Sequence, residues 1–123
     1  MSKSFLEVVE EALKDVEEVD VFQLKKSFDD NEDFLLIDTR ETEEWNLSRI
    51  PNATHISKGL IEKVLDVSVP DRNKKIVLYC QSGFRSVLAC ESIKRLGYND
   101  VSSLKGGIAA VSYTHLRAHE TDY

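Results

Sequence analysis

A chain of 123 residues, 41% hydrophobic and 31% charged, is long enough to bury one core and too short for two ordinary domains. Its formal net charge of −6 argues against nucleic acid or an anionic membrane surface as a partner, because both demand a basic face. No apolar run reaches the length needed to cross a bilayer, and Met1 to Glu10 lacks the pattern of a secretory signal, so the expected location is the cytoplasm.

Apolar residues at helical spacing (Phe5, Val8, Val9, Ala12, Leu13, Val16) predict an amphipathic N-terminal helix over about Ser4 to Asp15, with Ser4 as cap and Glu7 at the capping-box position. Val19 to Val21 is a short apolar stretch, and Val21, Leu24 and Phe28 predict a second short helix. Phe34 to Ile37 is a continuous apolar run, the pattern of a strand buried on both faces, and it stops at Asp38-Thr39-Arg40. A helix through Glu41 to Trp45, a strand over Ala53 to Ile56 and a helix over Leu60 to Leu65 follow. Ile76 to Tyr79 is a strongly β-forming strand, Cys80 to Phe84 a loop, Arg85 to Leu96 a helix closed by Gly97, and Val101 to Leu104 a last strand before Gly106-Gly107. This alternation implies an α/β fold, a parallel sheet with helices on both faces.

Cys80 stands where a buried strand ends and a helix begins, the edge of an open α/β sheet at which ligands bind. A loop containing Gly83 can curl its backbone N–H groups inward, and the following helix adds its positive end, with Arg85 nearby. Such a cradle suits an anionic sulfur, and a thiolate is a nucleophile. The alternative is a buried structural cysteine. Cys90 falls on the apolar side of its helix with Val87 and Ile93 and reads as a small core residue. His55 reads as a packed or hydrogen-bonded side chain. Asp38 and Arg40 admit two readings: an acid–base pair beside the pocket, or an ion pair that fixes the loops.

The segment Cys80-Gln81-Ser82-Gly83-Phe84-Arg85-Ser86 resembles the active-site loop of the rhodanese family. Asp38-Thr39-Arg40-Glu41, Glu44-Trp45, Ile50-Pro51-Asn52-Ala53 and Leu104-Lys105-Gly106-Gly107 resemble further blocks of that family, in the same order, over roughly Val19 to Ala110. The sequence departs from the pattern where Ser48-Arg49 stands for Gly-His and Asn52 for Gly, positions that shape a turn.

The resemblance implies a sulfurtransferase in which Cys80 is the catalytic residue and carries sulfur as a persulfide. Gln81, Ser82, Gly83, Phe84, Arg85 and Ser86 would bind the anionic substrate, and Asp38 and Arg40 would support the loop. The donor would be thiosulfate or another persulfide and the acceptor a thiol, cyanide or a protein, with no metal and no cofactor. A non-catalytic docking or redox-sensing module is the alternative. A phosphatase or arsenate reductase is disfavoured because the phosphatase loop is one residue longer than the four residues between Cys80 and Arg85 here.

His115 and His119 have the spacing that can hold zinc on a helix, but Val111 to Thr121 resembles the translated read-through of a sequencing adapter. Residues 1–110 are therefore expected to form the domain, with residues 1–16 its N-terminal helical part. Residues 111–123 would be a non-native tail, leaving the family's last helix missing.

Overall fold

The computed structural model describes residues 2–111. The adapter-like stretch beyond Val111, His115 and His119 with it, and the expected loss of a final helix lie outside the described residues.

Among the described residues five parallel strands form one sheet: β1 (Glu17–Val19), β2 (Leu35–Asp38), β3 (Thr54–His55), β4 (Ile76–Tyr79) and β5 (Val101–Leu104), in the order β1-β5-β4-β2-β3. The α-helices among the described residues are α1 (Phe5–Ala12), which precedes the sheet, and α2 (Val21–Asp29), α3 (Thr42–Leu47), α4 (Ile61–Ser68) and α5 (Phe84–Lys94), which lie between strands. The α/β class and the parallel sheet are those expected from the alternation of patterns.

The core divides by the strand pleat. Ile37, Ile76 and Leu78 point to one face, against Val9 and Ala12 of α1, Ile61 and Leu65 of α4, and Val87, Ala89, Cys90 and Ile93 of α5. Leu36, Val77 and Tyr79 point to the other, against Val21 and Leu24 of α2, with Ile50 and Leu104. β4 sits between β5 and β2 and all four of its residues are buried, which is why it reads in the sequence as an unbroken Ile-Val-Leu-Tyr run.

Several boundaries differ from expectation for identifiable reasons. α1 has the Ser4–Glu7 capping box but ends at Ala12, where Lys14 and Asp15 N–H groups tighten onto Glu11 and Ala12 carbonyls. Phe5 and Val8 are exposed; only part of the apolar face meets α5. The stretch before α2 is an edge strand of three residues, two of them exposed glutamates, followed by Asp20 as a helix cap. β3 is two residues long, and a 3-10 turn (Lys58–Leu60) precedes α4. Asn52, where the family pattern has glycine, adopts φ +69°, a left-handed conformation that asparagine tolerates better than most residues.

Leu78 lies on the central strand with no exposed surface. Leu78→Ala is expected to lower stability by about 2–5 kcal/mol, seen as a lower urea midpoint at unchanged slope.

Candidate active site

β4 ends at Tyr79 and delivers Cys80 to the carboxyl edge of the sheet, where the chain turns through Gln81, Ser82 and Gly83 into α5. The sulfur is 1% exposed at residue level. The N–H groups of Gly83 and Ser86 donate to Cys80 Sγ at 3.2 and 3.3 Å. The Ser86 hydroxyl lies 3.5 Å from the same sulfur and shares a 2.7 Å hydrogen bond with Ser103 Oγ on β5. The sulfur thus lies at the first turn of α5, facing helix donors that have no intrahelical partner.

This curl depends on glycines. Gly83 has φ +93°, and a Cβ there would stand 2.9 Å from the Gly106 nitrogen and 3.2 Å from the Leu104 carbonyl. Gly107, at φ +59°, lies under the loop; its Cβ would stand 2.4 Å from the Cys80 carbonyl oxygen. From that position the N–H groups of Ile108 and Ala109 donate to the Cys80 and Gln81 carbonyls at 2.9 and 3.0 Å. These two hydrogen bonds fix the Cys80–Gln81 and Gln81–Ser82 peptides from which the turn into α5 starts.

Asp38 and Arg40, at the end of the neighbouring strand β2, form a fork of hydrogen bonds. Nε stands 3.1 Å from both carboxylate oxygens and Nη2 2.8 Å from Oδ2, and both residues are buried. Burial works against the guanidinium charge, but the hydrogen bonds and charge of Asp38 outweigh it and leave the Arg40 pKa raised. Arg40 also donates to the Ser48 carbonyl at the end of α3 and, at 3.5 Å, to Gln81 Oε1. His55 Nε2 lies 2.7 Å from the Arg40 carbonyl, and its ring stacks on Trp45 at 5.1 Å.

Beyond the sulfur opens a cavity of about 180 Å³, lined among the described residues by Phe5, Cys80, Gln81, Ser82, Phe84 and Arg85. Gln81, Ser82 and Phe84 are exposed, while Ser86 is buried beneath. Arg85 pairs with Glu44 of α3 at 3.2 Å, so its charge is shared with a carboxylate. Burial raises the Glu44 pKa, but the Arg85 hydrogen bond and the Glu41 N–H outweigh it and hold the carboxyl below its usual range.

The structure therefore brings together all the loop residues singled out in the sequence, with Asp38 and Arg40 behind them. Sequence reading gave no place in the site to Glu44, Ser103, Gly107 or Phe5, the last being read as part of the apolar face of the N-terminal helix. Glu44 and Gly107 fall inside motif blocks and were in that sense visible; Ser103 and Phe5 come to the loop only through tertiary packing. Cys90 is wholly buried in the core, and burial pushes its thiol pKa up.

The family model of the rhodanese-like domain matches residues 20–113. The chain belongs to the rhodanese-like family. It is similar to a sulfurtransferase of Allochromatium vinosum, 37% identical over 95 residues that cover 77% of this chain and 87% of that protein. It is 34% identical over 88 residues to the probable adenylyltransferase/sulfurtransferase MoeZ of Mycobacterium tuberculosis, covering 72% of this chain but only 22% of that longer protein. Among solved structures, a protein of unknown function from Rhodopseudomonas palustris, described as a possible tyrosine phosphatase, superposes with a TM-score of 0.80 over 89% of both chains. At 24% identity that likeness shows a shared fold alone.

Two outcomes are expected. Gly107→Ala should cost about 2 kcal/mol or more, because it combines a left-handed φ with a backbone collision; thermal unfolding measures it. Glu44, with its pKa depressed in the folded state, contributes stability above its unfolded pKa that is lost as pH falls through the lower folded value. The gap in thermal midpoint between the native protein and Glu44→Gln should therefore be present at neutral pH and close in acid.

Proposed function

We propose that the protein is a sulfurtransferase that carries sulfane sulfur as a persulfide on Cys80. The observation that carries this reading is the convergence of two backbone N–H groups, from Gly83 and Ser86, on a cysteine sulfur at the floor of an open cavity. Donors fixed in this way stabilise negative charge on sulfur without reorganising. They serve a thiolate nucleophile and the anionic persulfide that replaces it.

In the first displacement, the Cys80 thiolate attacks the outer sulfur of a donor such as thiosulfate. A new S–S bond forms, the donor's S–S bond breaks, and its electron pair leaves with sulfite. Total charge is conserved, and no separate oxidant is needed. In the second, an acceptor thiolate or cyanide attacks the outer persulfide sulfur and the Cys80 thiolate departs. Two half-reactions that share one covalent intermediate give ping-pong kinetics.

In this reading Arg85 and the polar groups of Gln81 and Ser82 line the path of the anion, and Phe84 bounds it. Ser86 stands beneath the sulfur. Asp38 and Arg40 are positioning residues that act through Gln81 and the end of α3. Cys90, buried in the core, takes no part. A reducing, cytoplasmic setting suits a mechanism that requires a free thiol, and both cysteines are free. The sulfurtransferase names of relatives support the chemistry, and the short loop favours a sulfur atom over a tetrahedral phosphate.

Incubation with thiosulfate followed by intact mass measurement should add one sulfur, about 32 Da, to the native protein and nothing to Cys80→Ser, with reversal by cyanide or a thiol. A gain retained in Cys80→Ser would reject the assignment. Turnover of an aryl phosphate that depends on Cys80 would favour a phosphatase instead.

A further inference from the structure

Among the described residues Phe5 is the one lining residue of the cavity that comes from outside the segment Cys80 to Ser86, and it lies before the stretch matched by the family model. Its ring meets Phe84 edge to face, with centroids 6.5 Å apart and planes at 74°. Both rings remain substantially exposed, at 51% and 44%, on the open side of the cavity. α1 holds Phe5 in place: the Ser4–Glu7 capping box fixes its first turn, and Val9 and Ala12 are buried in the core cluster with α5. Held on an anchored helix, the exposed ring of Phe5 thus lines the same cavity as Cys80 and offers an apolar surface to whatever enters it.

The charges around the same opening point in the same direction. Arg85 is the only cationic side chain among the described lining residues, and Glu44 neutralises it. Arg40 lies behind the loop and is bound in a fork to Asp38. A small dianion such as thiosulfate would therefore meet, among the described residues, no uncompensated cation lining the cavity and two aromatic rings it cannot use. A monoanion bearing an apolar group would meet the N–H cradle with its sulfur and the rings with its body. The cavity, about 180 Å³, is of the size at which an apolar protein cavity accepts a benzene ring (~150 Å³).

We infer that Phe5, with Phe84, is a specificity-determining residue that selects sulfane sulfur carried on an apolar, singly charged group, of which an aryl thiosulfonate is the simplest form, over inorganic thiosulfate. The inference rests on the proposed sulfur transfer by Cys80. The step balances: the Cys80 thiolate bonds to the terminal sulfur of the thiosulfonate, the S–S bond breaks, and the electron pair leaves with the aryl sulfinate. One negative charge then rests on the persulfide and one on the sulfinate.

The test compares kcat/KM for benzenethiosulfonate and thiosulfate in the native protein, Phe5→Ala and Glu44→Gln, with cyanide as acceptor and thermal midpoints as a check of folding. The native protein should favour the aryl donor. Phe5→Ala should lower the aryl-to-thiosulfate ratio about five- to tenfold, mainly through KM for the aryl donor. Glu44→Gln, which frees Arg85, should lower the same ratio by raising the thiosulfate value. Phe5→Leu, which keeps the apolar contact but loses the ring, should fall between the native protein and Phe5→Ala and serves if the alanine variant unfolds. A native preference for thiosulfate, or a ratio unmoved by the Phe5 substitutions while both donors still charge Cys80, overturns the inference and leaves the sulfurtransferase reading standing. Failure of both donors to add sulfur to folded native protein overturns both.

Discussion

The backbone carbonyls of Cys80 and Gln81 are held from below by the amides of Ile108 and Ala109, and the remainder of the site is arranged around that contact. Fixing the oxygens of the first two peptides after Cys80 sets the start of the turn, and the chain then curls through Gly83 into α5 so that the N–H groups of Gly83 and Ser86 meet the sulfur. The two segments approach so closely that neither Gly83 nor Gly107 leaves room for a Cβ, and both adopt left-handed conformations that glycine accepts without strain. The glycines at both levels are parts of one contact between backbones.

A second constraint keeps the loop at the right height. The Asp38–Arg40 pair is buried, and removing two charges from water is costly unless their hydrogen bonds are nearly complete. Here the guanidinium satisfies the carboxylate, the Ser48 carbonyl and Gln81, so the end of β2, the end of α3 and the loop after β4 are tied through one side chain. Thr39 adds its hydroxyl and N–H to the Tyr79 carbonyl, and the Tyr79 hydroxyl accepts from Ile50 N–H. The strand ends are joined by polar groups that have no other outlet, which favours a single arrangement of the edge.

Much of this architecture is visible in the sequence because burial leaves a pattern. β2 and β4, covered on both faces, appear as unbroken apolar runs, and Cys80 follows the second of them directly. β1 and β3 are short and partly exposed, so they leave little trace beside Val19 or His55. The loop was legible as a motif, and its sulfur-facing amides follow from its glycine and the helix behind it. The partnership of Arg85 with Glu44 was not legible, because it depends on how α3 lies against α5. Nor was the position of Phe5: at helical spacing it is indistinguishable from a core residue, and its place at the start of α1 sets it against Phe84 at the cavity rather than in the buried cluster with Val9 and Ala12.

The order in which the strands pair bears on the life of the polypeptide before it is folded. β1 lies at the edge beside β5, so nearly the whole domain intervenes between two strands that must meet, and such distant pairings close late. The lower support of the loop comes from Ile108 and Ala109, which must likewise be brought beneath Cys80 by folding. Until then the thiol has neither its cradle nor its cover, and it is as open to disulfide exchange and oxidation as any exposed cysteine. The late arrival of a few amides thus separates a stage in which this sulfur reacts indiscriminately from one in which the fold governs its chemistry.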